Sequence, residues 1–239
     1  MKKTLYIFFI IFSAYTISKA QIKEIDYINS DIKVVAKELG WDVGKHNTAK
    51  DSKFLTNKEK DVIFCLNMVR SQPEKFTNDF VRQLDKCFDG NTMTVPGGSA
   101  FTTQEGVKAV KELIKVLPKT KGMNVLLPSK GLSNAAKELA IFQEKTGKTG
   151  HIGENGASLS KRISKFGKYT SNIAENVSYG EESAIMVVIS LLIDDGVSSR
   201  GHRINILNAN LKLAGAKWAK HPKFKQMCAI TFAANFTEQ

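Results

Sequence analysis

Ten consecutive residues at positions 184–193, AIMVVISLLI, constrain the fold most. Ser190 alone interrupts the apolar run. A helix with no polar face must be covered on every side, so this segment predicts a buried helix in the middle of a core. With 239 residues, 42% of them hydrophobic, the chain can supply one sizeable core of that kind.

Other segments carry periodicities that surround such a helix. Thr56 and Glu59 form a capping-box pattern, and Val62, Ile63, Leu66 and Val69 then recur on one face, predicting a helix from Thr56. Pro73 opens a second helical stretch, PEKFTNDFVRQL. Glycines, asparagine and proline in DGNTMTVPGGSAF predict a loop. Val107, Val110, Ile114 and Leu117 mark an amphipathic helix, and PSKGLSNAAKELAIFQEK another, with Leu132, Ala135, Ala136 and Leu139 inward. Later, SLSKRISKF and SRGHRINIL predict short helices, and SNIAENVSYG an extended segment. LKLAGAKWA and KQMCAITFAANF alternate and are rich in β-branched or aromatic residues, as paired strands are. The expectation is a small antiparallel sheet, formed late in the chain, with helices before and beside it. Residues 21–56 are mixed and polar and predict a peripheral N-terminal extension, with one short amphipathic pattern at DIKVVAKELGW.

Lys2 and Lys3, an apolar run from Leu5 to Ile17, and Ser18-Lys19-Ala20 predict a secretory signal peptide over residues 1–20, cut before Gln21. That run is shorter than the ~20 residues a transmembrane helix needs, and an uncleaved anchor is the alternative. A secreted or periplasmic protein with no transmembrane span in its mature form is expected. The formal charge is +12, and removing Lys2, Lys3 and Lys19 leaves +9. The lysines are scattered and no nucleic-acid motif accompanies them, so a solvated basic surface is expected rather than a nucleic-acid partner, with salt-dependent attraction to anionic envelope polymers. Three cysteines, Cys65, Cys87 and Cys228, are too few for a disulfide scaffold. Export would permit one bridge, for which Cys65 with Cys87 is conceivable, whereas the apolar run around Cys228 predicts a buried thiol.

Three segments place polar groups in glycine-rich or apolar surroundings: TGHIGENG with His151, IAENVSYG with Glu175, and SSRGHRINIL with His202. Taken singly, a histidine after a glycine is more often structural, and an acid more often a cap. Two imidazoles and a carboxylate that converged would suit zinc or another divalent metal, with a fourth position open to water. The remaining histidines, His46 and His221, sit in polar or turn-like contexts and predict surface positions.

From NMVRSQPEKF through PSKGLSNAAKELA, KTGHIGENGASLSKRISKFGKY, IAENVSYG and LLIDDGVSSRGHRINILN to MCAITFAANF, the chain resembles the CAP superfamily. That group takes in cysteine-rich secretory proteins, antigen 5 and the plant pathogenesis-related proteins, and the likeness is to its bacterial SCP-like branch. The ordered set of segments covers residues 57–237. It implies an α+β fold, an α-β-α sandwich with a small antiparallel sheet between helical layers, and a cleft lined by two histidines and acidic residues. On that resemblance His151, Glu175 and His202 form the site. Asp194 or Asp195 is the candidate second acid, and Glu154 adjoins Asn155 where relatives often carry an aspartate. Leu139 stands where histidine is common in relatives.

The leading expectation is a secreted module that binds a small-molecule, lipid or envelope ligand in this cleft, with a divalent metal as a possible cofactor. A metal-dependent hydrolase, with Glu175 or an aspartate as general base, is one alternative. An adhesive or structural envelope protein without catalysis is the other. No GxSxG nucleophile elbow is present. Arg200, Arg203 and Asn205 are expected to hold the backbone around His202.

Overall fold

The computed structural model describes residues 25–239, so the expected signal peptide and the cut before Gln21 lie outside the described residues. At the centre is a four-stranded sheet. Strand Leu213–His221 pairs antiparallel with Lys225–Ala233, which pairs antiparallel with Ile173–Tyr179; the short strand Leu127–Pro128 joins the other edge in parallel. The alternation of strand Lys225–Ala233 divides its side chains cleanly between two covered faces. Cys228, Ile230 and Phe232 enter the larger core, while Met227, Ala229 and Ala233 face the helix Lys130–Thr146. Both faces are buried, and for that reason the strand reads as a nearly unbroken apolar run.

Helices Asn57–Ser71 and Ala184–Ile193 form the opposite layer, with Val62, Leu66, Val69, Val188 and Leu192 fully buried in the larger core. The result is the expected α-β-α sandwich. Thr56 caps the first of these helices as its sequence predicts. Its hydroxyl accepts from the Glu59 amide, while the Glu59 carboxylate accepts from the Thr56 amide. Glu59 also reaches the sheet, accepting from the Trp218 amide at 3.0 Å and from Lys217 Nζ at 2.9 Å.

On the other face, Lys130–Thr146 lies so close to the sheet that a Cβ on Gly215 would overlap the backbone of Leu132 and Ser133. Glycine is the residue that allows this approach. Leu132, Ala135, Ala136 and Leu139 are fully buried along that contact, as expected.

Several expectations are corrected. The N-terminal segment is not peripheral: Tyr27 and Trp41 are buried in the main core, where the Tyr27 hydroxyl donates to the Phe80 carbonyl at 2.8 Å and Trp41 Nε1 to Asp79 at 2.9 Å. His46 and His221 are buried, not on the surface. His46 Nδ1 meets the Asp42 carbonyl and Nε2 the Ser71 hydroxyl, each at 2.6 Å, with Trp41 and Phe64 at its ring edges. Burial holds the His46 imidazole below the usual histidine range. His221 bonds the Lys148 carbonyl through Nε2, with Tyr179 edge-on to its ring and Phe224 tilted against it. In both cases satisfied ring nitrogens make burial tolerable in a polar stretch of sequence.

No disulfide joins Cys65, Cys87 and Cys228, and Cys65 and Cys228 are buried. The segment after Pro73 winds from an α-turn, Pro73–Phe76, through a π-helix, Thr77–Val81, to a 3-10 turn, Arg82–Lys86. The predicted loop at 89–101 contains a small antiparallel sheet of two-residue strands, Phe88–Asp89, Thr92–Met93 and Phe101–Thr102. Strands this short carry no alternation that a sequence could display. Among the described residues no helix is long and apolar enough to cross a membrane.

Two substitutions test this packing. Val188→Asp places an unpaired charge inside the core and should destabilise by roughly 3 kcal/mol or more; near-parental thermal unfolding would contradict the burial of Ala184–Ile193. Gly215→Ala should cost about 1–3 kcal/mol by forcing helix and sheet apart. A denaturant midpoint equal to that of the parent would refute the close approach.

Candidate functional site

The three expected segments converge at one end of the sheet. His151 lies in the loop that follows Lys130–Thr146. The helix ends on Gly147 in the left-handed conformation, and Gly150 also takes a positive φ, of 93°. Two buried or half-buried side chains anchor the loop. Gln143 Nε2 donates to the Gly150 carbonyl at 2.7 Å, and the Gly150 amide donates to the Tyr179 hydroxyl at 2.9 Å. Tyr179 in turn donates to Gln143 Oε1 at 2.9 Å. Glu175 is on strand Ile173–Tyr179, and His202 opens the helix Gly201–Ile206.

Each histidine leans on a buried carboxylate. His151 Nδ1 is 3.0 Å from Glu175 Oε1; the imidazole side chain is 50% exposed and the glutamate 2%. His202 Nδ1 is 2.6 Å from Asp194 Oδ1; here the exposures are 24% and 2%. Asp194 Oδ2 also accepts from the His202 amide at 2.8 Å. The two ring centroids are 6.4 Å apart, inclined at 41°. A carboxylate beside Nδ1 draws the N–H to that nitrogen and leaves the Nε2 lone pair for another partner.

The choice between Asp194 and Asp195 follows from the backbone. Asp194 terminates Ala184–Ile193 with φ +55°, a left-handed cap that turns its side chain to the His202 end. Asp195 instead accepts from the amides of Gln104 at 2.6 Å and Glu105 at 2.8 Å. Glu154 is exposed on the 3-10 turn Glu154–Gly156 and hydrogen-bonds neither histidine among the described residues.

Glu175 has a second partner that its sequence neighbourhood does not announce. Arg162 Nη2 donates to both of its carboxylate oxygens, at 2.9 and 2.8 Å, and also to the His151 carbonyl at 3.2 Å, while Nη1 donates to the Ala135 carbonyl. Arg162 is fully buried on the short helix Leu159–Ile163. The only signal for it is spacing, since Arg162 lies three residues after Leu159 and next to Ile163, on the side of the helix that meets the core. Asn176, also fully buried, donates to the His202 carbonyl and accepts from Asn205.

The arginines of SSRGHRINIL are structural, as expected. Arg200 forks onto Glu105 at 2.6 and 2.7 Å and reaches Glu112 and the Asp194 carbonyl. Arg203 holds the carbonyls of Leu192 and Ile193 and pairs with Glu112. Arg200 and the Gly196 amide hold the Glu105 carboxyl down to about 2, and Arg203 holds Glu112 below the ordinary range.

Among the described residues no three histidine, cysteine or acidic side chains are grouped to hold a metal. The expected set of His151, Glu175 and His202 meets without presenting three donors to one point, because Arg162 takes both Glu175 oxygens. What faces the cleft is a pair of imidazoles. Beside them, a cavity of about 270 Å³ runs past His202, Asp194 and Ser178 to Tyr179 and Glu181.

Among curated proteins none matches this sequence. Among solved structures, an outer surface protein from Borrelia burgdorferi is 20% identical, with a TM-score of 0.40, over 49% of this chain and 80% of its own. An extracellular protein containing a SCP domain from Bacillus anthracis str. Ames is 15% identical, with a TM-score of 0.38, over 52% and 37%. The model of the CAP family, described as the cysteine-rich secretory protein family, matches residues 65–236. A match over that much of a 239-residue chain, with helical layers on both faces of the sheet, makes this protein a member of the cysteine-rich secretory protein (CAP) family.

Proposed function

We propose that the protein is an exported ligand-binding module whose histidine pair takes a divalent cation, or a ligand carried by one, between His151 and His202. One observation carries the reading: each imidazole is oriented through Nδ1 by its own buried carboxylate, on two different elements, with the other nitrogen left for a cleft partner. Carboxylates placed this way fix the tautomer and raise the donor strength of a metal-binding histidine. The donor set fits two imidazoles with the remaining positions filled by water or ligand. Glu175 and Asp194 are then orienting groups rather than ligands. A bound cation would supply a Lewis-acidic anchor for an anionic or carbonyl-bearing ligand.

Binding is favoured over hydrolysis by the engagement of the two acids. A general base must reach a cleft water and hold a free lone pair toward it. Glu175 is enclosed and bonded by Arg162 and His151, and Asp194 is enclosed and bonded twice by His202.

Zinc titration by calorimetry tests the reading. His151→Ala and His202→Ala should each weaken zinc binding, and the double variant should abolish it. Asp194→Asn should weaken it about 10–100-fold with an unchanged circular dichroism spectrum. Lowering the pH should weaken binding in the parent, because protons compete for the same nitrogens. Equal affinity in the double variant and the parent rejects the histidine site. Export has its own test. Protein recovered from outside the cytoplasm should begin at Gln21 by intact mass, and retention of residues 1–20 in it would reject cleavage after Ala20.

A further inference from the structure

The cavity beside His202 has a feature the histidine pair does not use. Glu181 follows strand Ile173–Tyr179 across Gly180, which takes a φ of +90°. The residue keeps partial exposure through the cavity, while its carboxyl lies inside. It accepts one hydrogen bond, from the Ser190 hydroxyl on the helix Ala184–Ile193. No ion pair involves Glu181 among the described residues. Burial, opposed by the Ser190 bond and aided by repulsion from Glu182, raises this carboxyl to about 7.

The surrounding charges do not supply a counter-ion. Among the described residues His202 is the one basic side chain on the cavity wall, and Asp194 already pairs with it. Asp195, also on the wall, is held by two backbone amides. Lys223 and Lys225 line a neighbouring cavity of about 430 Å³, and Lys58 reaches the Glu182 carbonyl; none of them pairs with Glu181. The two cavities meet at Phe101, Thr102, Tyr179 and Glu181. The rest of the nearer wall is largely apolar, including Phe88, Met93 and Val110.

We propose that this cavity binds an organic ammonium ion, with the cationic head against the Glu181 carboxylate and its apolar substituent along Phe101, Tyr179 and Val110. An acid-lined pocket disfavours an anionic ligand. A buried carboxyl without a cation gains most from one, and aromatic faces attract an ammonium group further. Below neutrality Glu181 is protonated, so uptake of R–NH3+ leaves the carboxylate paired with the cation and releases one proton to solvent. The site does not rest on the histidine reading, and His151 lies outside its wall.

The probe is n-hexylammonium, titrated calorimetrically into the full mature chain with a chelator present so that no metal occupies the histidines. Its affinity should rise about tenfold between pH 6 and pH 8, as the ionised fraction of a group with its pKa near 7 rises. Buffers of different ionisation enthalpy should report proton release at pH 6. Glu181→Gln should lose about tenfold at pH 8 and most of the rise between pH 6 and pH 8. Loss of binding in His151→Ala would place the ammonium at the histidines instead and overturn the proposal. So would hexanoate or hexanol binding as tightly as the ammonium. Should Glu181→Gln fail to fold, Phe101→Ala, at a partly exposed wall position, decides: parental affinity in that variant also overturns it.

Discussion

Arg162 and Glu175 form the buried pair on which the site depends. One guanidinium joins the helix beneath the sheet through the Ala135 carbonyl, the loop through the His151 carbonyl, and the sheet through Glu175. Both side chains are almost completely enclosed. Two charges taken from water repay that loss only when their geometry is good and their other polar atoms are satisfied. Here the two oxygens share one nitrogen, while Arg162 Nε has no partner, so part of the desolvation is left uncompensated. Such a pair contributes little net stability, and its worth lies in orientation. The His151 loop has two attachments, the Gln143–Tyr179 bonds near Gly150 and the arginine at His151 itself, and these fix a half-exposed imidazole against solvent.

The second histidine is held by a different device. Asp194 closes a helix in a conformation that costs most residues about 1 kcal/mol or more, and that strained cap aims its carboxylate at both the amide and the ring of His202. Arg200 adds a bond to the Asp194 carbonyl and clamps Glu105, while Arg203 ties the end of the buried helix to the start of the next. The two arginines flanking GH thus serve the turn, and the histidine between them serves the cleft. Asn176 and Asn205 connect this turn to the strand that carries Glu175, so the two imidazoles share one scaffold.

Much of this was legible in the sequence. The apolar run at 184–193, the alternation in the last two strands and the capping box at Thr56 each name a local structure with one physical solution, and all three formed. The resemblance carried by the ordered motif segments implied that His151, Glu175 and His202 share a site, and the three side chains do come together. What escaped was decided by tertiary context. Asp194 and Asp195 are identical in composition and differ in one backbone dihedral region. Arg162 sits among lysines in SLSKRISKF, and a short helix gives too few turns to reveal a buried face. His46 and His221 lie among polar residues, and only the carbonyls and hydroxyls that fold against them permit their burial. The N-terminal segment looked polar on average, yet two aromatic side chains, Tyr27 and Trp41, suffice to anchor it.

The Glu59 carboxylate has a consequence beyond capping its helix. Strand Leu213–His221 is paired along one side, but on the other the short strand Leu127–Pro128 covers only Leu213 and Ala214. From Gly215 onward that side would offer free amides and carbonyls to any extended chain nearby. Glu59, near the start of helix Asn57–Ser71, occupies the Trp218 amide and draws Lys217 across the same side. An incoming strand would have to displace a buried, hydrogen-bonded carboxylate before making its first backbone bond. The helix cap therefore also acts as a guard against sheet extension between molecules, and so against aggregation, in a protein whose strand Lys225–Ala233 is buried on both faces.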